Sequence, residues 1–148
     1  MYKKILLPID SSEQSEKAAE YAIQTADVDG ADIIVLNVID TYYLKSIPQR
    51  DLREKLDEQF REEGKEAVEK FEKKLEDEQC AGKCKNINLI NVIKEGKPYD
   101  VILKTADELG VDHIIMGKSG KHGLEKFVVG STTERVLKGA KVPVNVIP

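Results

Sequence analysis

Short apolar runs rich in β-branched residues alternate with amphipathic helical patterns from one end of this chain to the other. That alternation leaves few folds open. Residues 4–9 form a first apolar run, carrying Ile5, Leu6, Leu7 and Ile9. Ser11 with Gln14 three places on predicts a capping box, and Ala18, Ala19, Ala22, Ile23 and Ala26 share one helical face. Residues 32–39 are apolar on both sides, as a strand buried under helices on both faces requires. A long charged helix is predicted over residues 50–78, with a narrow stripe of Leu52, Leu56, Phe60, Ala67, Phe71 and Leu75. It reads as a solvated crossover rather than a partner-binding or coiled-coil helix. Gly64 falls in its middle, where glycine costs about 1 kcal/mol relative to alanine, and no local rule explains it.

The second half repeats the pattern. Residues 87–93 predict a third strand, and Gly96 a turn. Pro98 opens a helix bearing Val101, Ile102, Ala106 and Leu109, which Gly110 stops. Residues 111–116 predict a fourth strand, followed by a glycine-bearing loop from Gly117 to Gly130. A short helix over residues 131–138, with Gly139 as its stop, leads to a fifth strand over residues 142–147. Strictly alternating strands and helices imply a parallel sheet with helices on both faces. Pro143 cannot donate to a ladder, which puts the last strand at an edge. An apolar edge is a template for pairing, so two copies joined there would make a dimer.

Composition narrows the class. A chain of 148 residues fits one domain, 1–148, burying about 70% of its unfolded surface. The net charge of -4, with acids and bases interspersed, argues against a nucleic-acid or anionic-membrane surface. No apolar run approaches the ~20 residues needed to cross a bilayer. The amino terminus starts charged and turns apolar, but Pro8 and Asp10 break the stretch and no small-residue cleavage site follows. The expected location is therefore cytoplasmic. Cys80 and Cys84 read as two spare thiols at a helix end, since a zinc site would need ligands that His113 and His122 are too distant to supply.

Ligands of open α/β sheets collect at the carboxyl ends of the strands, where neighbouring crossovers diverge. Two such ends stand out: Pro8, Ile9 and Asp10 after the first strand, and the loop opening Gly117-Lys118-Ser119-Gly120-Lys121-His122 after the fourth. Glycines let backbone approach a ligand, and the helix starting at Ser131 offers unpaired N–H donors with a partial charge of roughly +0.5. Ser131, Thr132 and Thr133 add hydroxyls, and Lys118 and Lys121 add positive charge, which together suit a polyphosphate. The same residues also serve as a turn and a helix cap, and the residues alone leave both uses open. Asp10 likewise suits either a cap or a ligand acceptor; the Ser11–Gln14 pair would free it for the second.

Two phosphate motifs are absent. A P-loop ending in Gly117-Lys118-Ser119 needs its first glycine at position 112, which is Asp112. A Rossmann fingerprint fails because the glycines at 117, 120 and 123 are spaced G-x-x-G-x-x-G and follow the fourth strand.

The spacing Gly117-x-x-Gly120, nine residues, then Gly130-Ser131 resembles the G-x-x-G-x9-G-[S/T] signature of the ATP-binding branch of the universal stress protein family. The segments ending in Asp10, Leu36-Asn37-Val38, Ile114-Ile115-Met116-Gly117 and Val142-Pro143-Val144 fall where that family places them, over essentially the whole chain. The resemblance implies an open five-stranded parallel sheet ordered 3-2-1-4-5, adenine nucleotide alpha hydrolase-like, and a homodimer through the last strand. It implies that Asp10 holds the adenosine part, helped by the backbone of Pro8 and Ile9. Val38 would meet the adenine edge through its main chain, with Met116 nearby and Gly117 by the ribose. Ser119, Gly120, Gly130, Ser131 and Thr132 would donate to the phosphates of ATP, with Mg²⁺ or Mn²⁺ held mainly by those phosphates. Two residues depart from the pattern: Ser119 stands where an Arg or His is common, and His113 replaces an apolar strand residue.

No nucleophile, base and orienting group come together in the sequence. The expectation is a nucleotide-dependent switch in stress response with at most slow ATP hydrolysis, and no catalytic residues or protein-held metal. A dimeric interaction module of the same fold that binds no nucleotide is the alternative. An adenylating enzyme would show a Ser-Gly-Gly-rich loop after the first strand, where this chain has Asp10-Ser11-Ser12-Glu13.

Overall fold

A computed structural model describes residues 1–119 and 129–148. The elements in chain order are β1 (Lys4–Pro8), α1 (Glu13–Asp29), β2 (Asp32–Asp40), α2 (Thr41–Lys45), α3 (Arg50–Cys80), β3 (Leu89–Gly96), α4 (Pro98–Glu108), β4 (His113–Gly117), α5 (Ser131–Gly139) and β5 (Val144–Ile147). The five strands form one parallel sheet in the order β3-β2-β1-β4-β5. Pro143 immediately precedes the edge strand β5, as its missing N–H demands.

The central strands β2, β1 and β4 are buried on both sides. Ile5, Leu7, Ile33, Val35 and Ile115 face α1 and α3, where they meet Ala18, Ala22, Ile23, Val68, Phe71 and Leu75. Leu6, Ile34, Leu36, Ile114 and Met116 face the other way, onto Ile102 and Ala106 of α4 and Val136 of α5. Because the period of a strand is two, adjacent residues of one apolar run serve two cores. Each fully buried Leu or Ile contributes about 1.5–3 kcal/mol relative to an exposed one. A third cluster of Ile39, Leu44 and Ile47, with Leu56 and Phe60, seats the short helix α2, which sequence periodicity did not announce.

Several boundaries differ from expectation for local reasons. The N-cap of α1 is Ser12, whose Oγ accepts from Ser15 N at 3.1 Å, not Ser11 with Gln14. Asp10 causes the shift: its Oδ1 accepts the Ser12 N–H at 2.8 Å, an Asx turn that delays the helix by one residue. Gly139 does not stop α5 but lies within it, under Leu103 of α4. Gly110, at φ 66°, does end the α4 segment as expected. The third strand starts later than predicted and runs on to Gly96. Among the described residues no helix is long and apolar enough to cross a membrane.

Candidate functional site

The crossovers β1–α1–β2 and β3–α4–β4 lie on opposite faces, so they diverge between β1 and β4. A cavity of about 310 Å³ opens there at the carboxyl ends of the strands. Its wall brings together ten of the residues singled out from sequence: Pro8, Ile9, Asp10, Val38, Met116, Gly117, Ser119, Gly130, Ser131 and Thr132. Gly120, with Lys121 and His122, lies outside the described residues. The two ends of the site, 107 residues apart between Asp10 and Gly117, share one cavity.

At one end, Ile9 N donates to Leu36 O at 2.8 Å and carries the chain past β2 before it turns into α1. Asp10 N donates to Ser15 Oγ at 2.9 Å, and its carboxylate holds Ser12. Asp10 is thus both the organiser of the turn and a cavity residue. The ladder also explains Val38. Asp32 N–H and Leu36 C=O bond toward β1, so Val38, next in that alternation, turns its peptide groups toward a strand that has ended at Pro8. They face the cleft.

At the other end, Lys118 N donates to Ile147 O at 2.8 Å, and Gly130 N donates to Lys118 O at 2.9 Å, which ties the start of α5 to the end of β4. Ser119 is buried, 8% exposed. Gly130 is the N-cap of α5 and makes no side-chain cap hydrogen bond. The first-turn N–H groups of Ser131, Thr132 and Thr133 have no intrahelical acceptor, and all three residues line the cavity. Thr133 spends its hydroxyl on Gly117 O at 3.0 Å, binding α5 to the end of β4. A helix start whose N-cap residue has no side chain to offer, with hydroxyls adjacent, is a donor set that fits an anion.

Sequence reasoning missed part of the wall. Asn37, Asp40, Phe60, Glu63, Gly64, Pro98 and Ile102 also line the cavity. Asp40 caps α2 through Tyr43 N at 2.9 Å. Asn37 and Gly64 each had a readable signal, a lone amide in an otherwise apolar stretch and a glycine inside a helix, but nothing local joined the two. His113, outside the cavity, is buried at 3%, with Nε2 2.6 Å from Asn145 Oδ1 and its ring 4.2 Å from that of Tyr2. Cys80 and Cys84 are free thiols; burial, with Glu78 and Asp27 nearby, pushes the Cys84 thiol up. No group of three or more His, Cys, Asp or Glu among the described residues is placed to hold a metal.

Comparison with known proteins places the fold and the chain in a family. The chain is 35% identical over 147 residues to universal stress protein MJ0531 of Methanocaldococcus jannaschii, covering 99% of this chain and 82% of that protein. The solved structure of MJ0577, from the same organism, superposes with a TM-score of 0.80 at 36% identity, covering 99% of this chain and 96% of the other. The fold recurs, at TM-score 0.67 and 21% identity over 99% of this chain and 98% of the other, in a universal stress protein from Archaeoglobus fulgidus solved in complex with dAMP. The universal stress protein family matches residues 1–148, and the chain belongs to that family.

Proposed function

We propose that the chain binds an adenine nucleotide, ATP in the first place, and acts as a nucleotide-dependent switch in stress response with at most slow hydrolysis. The observation that carries this reading is the cavity shared by the Pro8–Asp10 turn and the start of α5, whose N-cap is a glycine. One end offers a carboxylate and strand-end peptide groups, which suit a nucleoside. The other offers backbone N–H groups and the hydroxyls of Ser131 and Thr132, which suit phosphates. The fold holds dAMP in the Archaeoglobus protein, which is compatible with the reading. Mg²⁺ or Mn²⁺ would enter with the nucleotide, held mainly by its phosphates, and would supply charge neutralisation there. The half-buried edge strand β5, with Val144, Val146 and Ile147, suits pairing of two copies.

Binding biases a conformational equilibrium only if the two states differ in affinity, and the loop between Gly117 and Gly130 is the segment the phosphates would engage. The test is direct. With no Trp and five Tyr the protein absorbs weakly at 280 nm, so co-purified adenine shows as excess absorbance near 260 nm. Millimolar ATP with Mg²⁺ should raise the melting temperature, since ligand at 100 times Kd adds about 2.7 kcal/mol. A clean protein spectrum with no thermal shift would replace this reading with the nucleotide-free interaction module.

A further inference from the structure

Asn37 interrupts the apolar sequence of β2, and its side chain is 6% exposed. Its Nδ2 donates to Ile9 O at 3.0 Å, the carbonyl that directly precedes Asp10. Its Oδ1 is buried and has no hydrogen-bond partner. The residue facing that oxygen is Gly64, in the middle of α3: a β-carbon there would overlap Oδ1, stand 2.9 Å from Asn37 Cγ and 3.2 Å from Ile39 Cδ1. The helix-interior glycine and the strand-interior amide, each unfavourable alone, therefore explain one another. Both line the same cavity. A buried amide with one unanswered acceptor is unfavourable for packing alone, so the bond it does make is its offsetting contribution. That bond holds the Ile9–Asp10 peptide in place.

We infer that Asn37 is a positioning residue for the nucleoside end of the site, acting through Ile9 and Asp10, and that Gly64 is the notch that lets it take this place. The inference rests on the nucleotide reading above and adds which side chain sets the geometry of that end. It requires that loss of Asn37 weaken ligands carrying a nucleoside and leave the phosphate end untouched.

The experiment compares the unmodified protein with Asn37→Ala, Gly64→Ala and the double variant, titrated with ATP, adenosine and inorganic tripolyphosphate by calorimetry. Asn37→Ala is expected to weaken ATP and adenosine by the same factor, tenfold or more, with tripolyphosphate unchanged. Gly64→Ala should reproduce this pattern by displacing the amide. In the Asn37→Ala background, where the space at Oδ1 is vacated, Gly64→Ala should add less than twofold. Equal losses for all three ligands would assign Asn37 a structural role only and overturn the inference, as would unchanged adenosine binding. If Asn37→Ala does not fold, Gly64→Ala alone decides through the same nucleoside-against-phosphate comparison. An unmodified protein that binds none of the ligands would overturn the nucleotide reading itself, and this inference with it.

Discussion

Gly117, at the end of β4, meets Gln14 of α1: a β-carbon at Gly117 would lie 3.0 Å from Gln14 Cβ and 3.1 Å from its carbonyl carbon and oxygen. The end of β4 and the first turn of α1 are in contact because the glycine has no side chain. Gly117 also accepts the Thr133 hydroxyl, so one residue gathers β4, α1 and α5 around the cavity.

Gly117→Ala should therefore destabilise the protein, since backbone rather than a flexible side chain stands in the way. Overpacking of this kind costs about 1–3 kcal/mol. Chemical denaturation would measure it, and the shift of α1 should also weaken ATP. A variant as stable as the parent would show that α1 yields without cost.

Asp10 separates two roles. Asn at this position keeps an oxygen for the Ser12 N–H bond but removes the negative charge. Asp10→Asn is expected to stay within about 0.5 kcal/mol of parental stability and to bind ATP roughly tenfold more weakly, a loss of about 1.4 kcal/mol. Asp10→Ala should lose the turn as well, with a further drop of about 1 kcal/mol in stability. Equal ATP affinity in Asp10→Asn and the parent would remove the carboxylate from the site.

Gly130 stands with its missing side chain toward Ser119: a β-carbon would be 3.2 Å from Ser119 Cα and 3.5 Å from Lys118 O. Its φ of -61° is open to any residue, so the constraint is one of space. Gly130→Ala should be tolerated with small shifts. Gly130→Val should press the loop stem from α5 and lower ATP affinity by at least tenfold, about 1.4 kcal/mol, with a smaller effect on adenosine. Unchanged ATP affinity in Gly130→Val would mean that phosphates are bound elsewhere.

Far from the cleft, Asp112 ties β1 to the start of β4, accepting Lys3 N at 2.9 Å and Lys4 N at 3.0 Å. Burial pushes its carboxyl up, but the N–H groups of Lys4 and Lys3 outweigh this and hold it below its ordinary value. A carboxyl depressed by folding contributes stability that is fully present above its unfolded value, about 4, and is lost as pH falls through the folded value. The parent should thus lose this contribution below about pH 4, whereas Asp112→Asn, about 1 kcal/mol less stable at neutral pH, should lack that component of the acid slope. Parallel stability curves for the two proteins down to pH 2 would refute this.

The parts of the architecture legible in the sequence were those set by near neighbours. Apolar runs alternating with helical stripes such as Ala18–Ala22–Ala26, and Pro143 in the last apolar run, were sufficient for the parallel sheet and its edge. The candidate site was legible as two separate stretches, because strand ends and glycine spacing are local marks. Misreadings arose where two local rules competed: Ser11 and Ser12 are both capping residues, and the Asp10 carboxylate decided between them. The helix α2 was missed because five residues carry too little periodicity to be seen, and contacts with Ile39 and Ile47 hold it in place.

By itself, then, the amino-acid order determined the five strands, the four longer helices, their alternation and the layered sheet, since each follows from interactions within a few residues along the chain. Tertiary structure alone decided that Gly64 must be a glycine, that Asn37 reaches Ile9, and that Gly117 bears on Gln14. These are contacts between elements remote in sequence, whose close approach depends on how helices seat on the finished sheet. No local propensity encodes that distance; only packing at near-crystalline density does.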